Sequence, residues 1–309
     1  MATRATYTGS TASGVINLAE KASPKVVERF KIGSCTEGLF SHDYDWTGVA
    51  TVQVRSIDNL PLNDYNSQLA TGASRFGDLT EVGDTVQEMT VQDDKSFNGV
   101  IDKRNNTETL QTKAASKILK RETDEVLIPY VDKYRLQKLA TGAGTTTYLG
   151  STTLSASNIV RTIMSANAAM SELLVPDTGR VLYMSYTTAI DLKLADQVVG
   201  IDKLGEKSIV NGVMGKVDKC QVRLVPDSYM PYNALTSAGA PATGAVRAKF
   251  LLVKTGVALA PKKIETYRVL NNVHIVDGAL VQGRLLHDCF VLTAKNAGIT
   301  AVFPGNAPT

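Results

Sequence analysis

Cysteine is scarce in this 309-residue chain: Cys35, Cys220 and Cys289 are far apart and odd in number, which argues against a disulfide framework or a four-thiolate zinc site. There are only three histidines, His42, His274 and His287. Of these, His42 lies near Asp43 and Asp45, but the other two are remote in sequence, so three convergent metal ligands are not available and the cluster reads as a solvated turn. Aromatic residues make up 6% and do not interleave with Arg or Lys, so a base-stacking platform is missing. No apolar run approaches the ~20 residues needed to cross a bilayer. The N-terminal residues 1–14 have no apolar core of a signal peptide, and the expectation is a protein made and used in a cytoplasm. A strong charge bias is also absent. Lys+Arg 33 against Asp+Glu 30 leaves +3, too little for a protein that grips nucleic acid phosphates one by one.

What is present is 43% hydrophobic and 20% charged residues, enough apolar content for a substantial core. The length is about twice the ~150-residue domain norm, so the chain forms one large domain or two units. Charge is unevenly placed: across residues 78–102 the carboxylates Asp78, Glu81, Asp84, Glu88, Asp93, Asp94 and Asp102 are accompanied by Lys95 alone among cations. Such a segment suits a basic partner, including another copy of the chain.

The pattern changes along the chain. Residues 1–40 read as an arm, with a short amphipathic stretch at 22–32; nothing in it could form a core of its own, so the arm would lie on another surface or stay mobile. Residues 46–62 and 84–99 alternate like strands. The second strand is polar on both faces, which fits a two-stranded hairpin projecting from the body. The connection 59–83 is long for a turn. From 107 to 140 the spacing of Leu110, Ala114, Ile118, Arg121, Glu125 and Ile128 predicts an amphipathic helix of roughly 30 residues, about 45 Å long. Asn106 or Thr107 would cap it and Gly142 would stop it. Pro129 should kink it or divide it. A Gly/Thr-rich connector at 140–151 leads to a helix capped by Ser155 or Ser157 and ended by Pro176. A strand at 179–185, a helix at 187–197 and a strand at 220–226 complete a compact α/β unit. Residues 229–244 read as a loop, and 249–254, 265–270 and 278–295 return to strand character.

Catalytic patterns are weak. His287 and Cys289 stand two apart in an apolar strand, parallel rather than facing, as expected of an inert core thiol. The stretch around Gly215-Lys216 misses the phosphate-loop spacing, and Thr141-Gly142-Ala143-Gly144 follows a helix where a dinucleotide loop must open one. The expectation is a non-enzyme with no catalytic, cofactor or metal residues.

The order of elements and several strings resemble the major capsid proteins of tailed phages, the Hong Kong 97 fold. The strings are Val91-Gln92-Asp93, Ser96-Phe97 and Ile101-Asp102-Lys103, then 121–125 and 128–136 within the helix, and 175–183. The resemblance covers about residues 25–303. It implies an α+β fold with an N-terminal arm (1–40) and a long β-hairpin, the E-loop (41–100). A peripheral domain with a long spine helix (101–150 and 249–309) and an axial α/β domain (151–248) would complete it. It also implies a subunit that assembles through pentamers and hexamers into an icosahedral virion shell around double-stranded DNA, without sequence specificity, membrane or cofactor. A separate scaffolding protein and a portal are the other implied partners, with assembly in the host cytoplasm. The candidate inter-subunit residues are Asp78, Glu81, Asp84, Glu88, Asp93 and Asp94 on the acidic strand, with Lys113, Lys117, Lys120 and Arg121 on the helix. An encapsulin-type compartment shell and a cytoplasmic α/β enzyme built on 155–226 are the alternatives.

Overall fold

The computed structural model describes residues 33–41, 43, 44, 46, 51–68, 74–108, 114–195, 215–237, 239–273 and 276–307. Most of the expected arm, including the stretch 22–32, lies outside the described residues, as do His42, Asp45, Lys113 and His274.

In chain order, β1 (Thr51–Ile57) and β2 (Asp84–Thr90) pair antiparallel, with Val52 opposite Met89 and Arg55 opposite Val86. Only Val54 and Met89 of these strands are buried. The strand expected at 84–99 is not continuous. After Val91-Gln92 the chain enters β3 (Asp93–Asp102), which pairs with β11 (Val276–His287), itself paired with β10 (Lys262–Val273). The first half therefore belongs to a two-stranded hairpin and the second to a separate three-stranded sheet. Alternation within one strand does not reveal which neighbour each half hydrogen-bonds to, and this is where the expectation fails.

The helical region also begins earlier than expected. Asp102 ends β3 and its Oδ1 accepts from the Asn105 N–H at 3.1 Å, starting α1 (Lys103–Glu108); Asn106 and Thr107 are interior to it. After residues 109–113, outside the described set, α2 (Ala115–Glu122) runs through a π-helical turn at Thr123–Leu127 into α3 (Ile128–Thr141). The Gly142 N–H closes on the Lys138 carbonyl at 2.9 Å. Proline has no N–H and its ring collides with the carbonyl four residues back in a regular helix. The wider π turn moves that carbonyl aside, so the helix passes Pro129 without dividing.

A six-stranded mixed sheet is the centre of the fold, in the order β4 (Thr145–Tyr148), β13 (Ile299–Phe303), β8 (Phe250–Lys254), β5 (Arg180–Ser185), β7 (Cys220–Val225) and β6 (Lys216–Val217). Its central strands are buried on both faces, and the period of two divides their side chains between two cores. Val181, Tyr183, Leu251, Val253, Ala301 and Phe303 meet Leu136 and Leu139 of α3 on one face. Leu182, Met184, Phe250, Leu252 and Val302 meet Ile159, Ile163 and Met170 of α4 (Ile159–Glu172) and Leu192 of α5 (Tyr186–Leu194) on the other. Asn158, rather than Ser155 or Ser157, occupies the N-cap position of α4, while Ser185 Oγ caps α5 by accepting from Thr188 N–H at 3.1 Å. Between β6 and β7, Asp218 and Lys219 both have positive φ, the left-handed pair that a tight two-residue hairpin requires.

Three sequence expectations change here. The connector 140–151 contains β4, paired in parallel with β13. The single strand expected at 278–295 is divided: β11 ends at His287, a short strand β12 (Phe290–Val291) pairs with β9 (Ala258–Leu259), and a 3-10 turn follows at Thr293–Gly298. The expected boundary at 248/249 does not coincide with a break, because β8 and β13 from beyond it sit beside β5 and β7 in one sheet.

Candidate functional site

The β1–β2 hairpin and the segment joining its strands carry a large share of the apolar surface that meets water among the described residues. Ile57, Leu60, Leu62, Tyr65, Phe76, Leu79 and Val82 are all exposed, Leu62 and Leu79 almost completely. Internal order is local: the Asn66 N–H donates to the Arg75 carbonyl at 3.0 Å and the Tyr65 and Phe76 rings meet edge to face at 5.0 Å. Single exposed apolar residues are ordinary, but a concentration of large ones on one projecting element marks an interaction surface. The hairpin base is tied to the body. Val54 and Met89 pack with Trp46, Leu259 and Leu292, and the Gln87 side chain donates to the Val291 carbonyl at 2.9 Å while accepting from Thr293 N–H at 2.9 Å.

The acidic candidates divide along this element. Asp78 and Glu81 are exposed. Asp84 faces Arg55 at 3.7 Å, and Glu88 accepts from Gln53 Nε2 at 2.8 Å across the hairpin. Asp93 and Asp94 belong to β3 and are engaged within the chain. Asp94 takes Arg284 Nε at 3.0 Å, which holds its carboxyl below the usual range through hydrogen bonding to that guanidinium. On the helix, Lys117 and Lys120 are exposed, while Arg121 pairs with Glu125 at 3.3 Å.

Asp93 opens onto a cluster that sequence reasoning missed. The Tyr130 hydroxyl donates to both Asp93 oxygens at 3.0 and 3.1 Å, and Lys95 Nζ lies 3.3 Å away. The His287 ring sits edge-on to Tyr134 (5.2 Å) and Tyr130 (6.1 Å). Asp288, also buried, accepts from Tyr134 Oη at 2.7 Å and from the Gln92 N–H at 3.1 Å. Burial, reinforced by these carboxylates, pushes both tyrosine hydroxyls well above their ordinary value, so they remain donors. Tyr130 and Tyr134 stand one helical turn apart. That spacing was the available signal, but nothing local said that β3 and β11 would lie under it. Cys289 has left the strand and is buried, so His287 and Cys289 do not form a dyad.

A second polar centre fixes residues 33–41 to α3. The buried Asp132 carboxylate accepts from Ser34 Oγ (2.8 Å), Cys35 N–H (2.8 Å) and Thr36 Oγ1 (2.6 Å), and Arg135 donates to Thr36 Oγ1 at 3.2 Å. From the other side, Arg223 donates to the Cys35 carbonyl at 2.8 Å. Replacing Asp132 by Ala leaves these three donors without their acceptor and removes the negative charge near the buried Arg135 guanidinium. The expected cost is about 3 kcal/mol in urea unfolding of the unassembled chain; a change under about 0.5 kcal/mol would show that the clasp contributes nothing.

The three cysteines are unpaired. Burial pushes the Cys220 thiol up to about 11 and Cys289 up to about 12. Burial and then Asp132 raise Cys35 further. With so little thiolate, all three should react with a disulfide reagent at pH 8 at least about a hundredfold slower than an ordinary thiol, and promptly once denatured. A fast-reacting native thiol would contradict this packing. Among the described residues no His/Cys/Asp/Glu group could hold a metal ion, and no helix is long and apolar enough to cross a membrane. Asp43 of the expected polar turn accepts from Ser41 Oγ.

No family model matches the chain, and no curated protein does. Solved structures do. "Capsid structure of the Cyanophage P-SCSP1u" is 13% identical with a TM-score of 0.75, covering 94% of this chain and 93% of that one. The "Asymmetric unit of bacteriophage PhiM1 mature capsid" is 13% identical with a TM-score of 0.72, covering 97% and 96%. The "Capsid of Ralstonia phage GP4" is 12% identical with a TM-score of 0.61, covering 98% and 100%. The chain has the mixed α+β fold of these phage capsid structures over nearly its whole length.

Proposed function

We propose that this chain is the major capsid protein of a tailed phage, assembling through pentamers and hexamers into the icosahedral shell that encloses a double-stranded DNA genome. The observation that carries the proposal is the coverage of at least 93% in both directions by capsid structures. A shell subunit must reserve surface for its neighbours, and the apolar hairpin 51–90 meets that need.

In this reading residues 41–100 are the E-loop and the helical run through α2 and α3 is the spine helix of a peripheral domain drawn from 101–150 and 249–309, apart from β4, β8 and β13. Those three strands belong with residues 151–248 in the axial unit, and residues 1–40 are the arm. Asp78, Glu81, Asp84 and Glu88 on the hairpin would meet Lys117 and Lys120, with Lys113, on the helix of the adjacent subunit. Asp84 and Glu88 would give up their contacts with Arg55 and Gln53 to do so, whereas Asp93, Asp94 and Arg121, held by Tyr130, Arg284 and Glu125, would act within the subunit. The near-neutral charge suits a wall around DNA that makes no base-specific contact. A separate scaffolding protein and a portal would complete the assembly in the host cytoplasm, with the protein ending in the virion. The chain would need no cofactor and perform no catalysis.

Negative-stain microscopy of the purified full chain, together with light scattering at rising protein concentration, tests this. Closed particles of uniform size are expected. A chain that stays monomeric at high concentration, with and without a co-expressed scaffolding protein, would overturn the reading.

A further inference from the structure

Where β3, β11 and α3 meet, a buried histidine has both ring nitrogens unsatisfied. His287 is 1% exposed and neither Nδ1 nor Nε2 makes a hydrogen bond. Nε2 lies 3.0 Å from Asp93 Oδ2, a close contact not aligned as a hydrogen bond. The groups around the ring are Asp93 and Lys95 on β3, Lys262 opposite it on β10, Asp288 next in sequence, and Tyr130, Tyr134, Arg135 and Lys138 on α3.

The same seam holds the connection between two sheets. Residues 91 and 92 join the β1–β2 hairpin to the three-stranded sheet, and the Gln92 N–H is held by Asp288 while Asp93 is held by Tyr130. We propose that the seam is a proton-operated latch: when His287 takes up one proton, the packing of β11 against α3 loosens and the 91–93 link is released, while the hairpin base stays anchored through Val54, Met89 and Gln87.

The direction follows from what surrounds the ring. Burial opposes a charge on His287 most strongly; Asp93, already engaged by Tyr130 and Lys95, and Asp288 offset only part of this, and Arg135 and Lys262 oppose the charge further. The folded site therefore holds the ring below the ordinary 6.5. A latched state that binds fewer protons than the opened one is favoured above that value and loses stability as pH falls through 6.5 toward the folded value. The carboxylates of Asp94 and Asp177, held low by Arg284 and Lys219, do not titrate in this window. The inference concerns the chain itself and does not depend on what covers the hairpin.

Hydrogen exchange of the unassembled full chain at pH 7.5 and 5.5, corrected for intrinsic rates, tests it. Peptides spanning 89–97 and 128–138 should exchange roughly fivefold to tenfold faster at the lower pH, while β5 stays protected. In His287→Phe, which keeps a ring and removes the proton site, the acid-dependent increase should vanish. NMR of the wild-type chain with labelled histidine supplies a measurement that does not rely on the variant folding. The His287 signal should titrate below 6.5 with the same midpoint as the exchange. An increase that persists in His287→Phe, a wild-type chain with no increase, or a His287 midpoint at or above 6.5 or separate from the exchange transition would each overturn the latch.

Discussion

A chain lacking residues 62–78 is expected to fold normally and fail to close a shell. The deleted stretch includes Leu62 and Phe76, both in water, so the subunit loses almost no core on their removal. The hairpin base is held elsewhere, by Val54 and Met89 against Trp46, Leu259 and Leu292 and by Gln87 against residues 291 and 293. Melting temperature should therefore shift by no more than about 2 °C, the equivalent of roughly 1 kcal/mol in a chain of this size. Assembly should be lost outright. Each large apolar side chain that would be covered by a neighbour contributes about 1.5–3 kcal/mol, and a shell repeats that loss at every contact. Light scattering and microscopy of the deletion variant read the result. Assembly at the wild-type concentration, or an unfolded monomer, would show that this segment is not an inter-subunit element.

The largest effect on the subunit itself is expected from Arg180→Leu. Arg180 is fully buried at the start of β5. Its Nε donates to the Pro176 carbonyl at 3.1 Å, one terminal nitrogen to the Asn167 carbonyl (3.1 Å), Asn167 Oδ1 and Ser171 Oγ (3.0 Å), and the other to the Val175 carbonyl at 2.5 Å, with Asp177 at 3.1 Å. The guanidinium therefore ties the end of α4 and the turn after it to the central sheet. Leucine fills much of the volume and satisfies none of these acceptors, leaving the buried Asn167 side chain and carbonyl and the partly buried Val175 and Pro176 carbonyls without this donor. The expected loss is about 3–5 kcal/mol and a fall in melting temperature of roughly 10 °C. Arg180→Lys should recover only part, because a single ammonium cannot reproduce the planar fork. A loss below about 1 kcal/mol for the leucine variant would mean that water replaces the network.

How much of this was legible depended on the range of the interaction involved. The helix before Gly142, the strands at 180–185 and 220–225 and the hairpin strand at 51–57 follow from periodicity, capping and β-branched runs, which act within a few residues. The alternation at 84–99 was legible as extended chain. Its division into β2 and β3 was not, because it depends on β11, almost two hundred residues later. The same holds for β4, whose Thr-rich run becomes a strand only beside β13. Asp93 and Asp94 were legible as part of an acidic segment, yet Tyr130, His287 and Arg284 came to them only through folding.

The sequence by itself determined the absence of strong catalytic patterns, the α+β character and the extended chain at 51–57 and 84–99, since composition, spacing and local propensity are properties of neighbouring residues. The tertiary structure alone decided the six-stranded sheet that crosses the expected domain boundary, the π turn that admits Pro129 and the burial of His287 against two tyrosines of one helix. Sheet order and burial are set by contacts between distant segments competing for one core, and that competition is resolved only when the whole chain has packed.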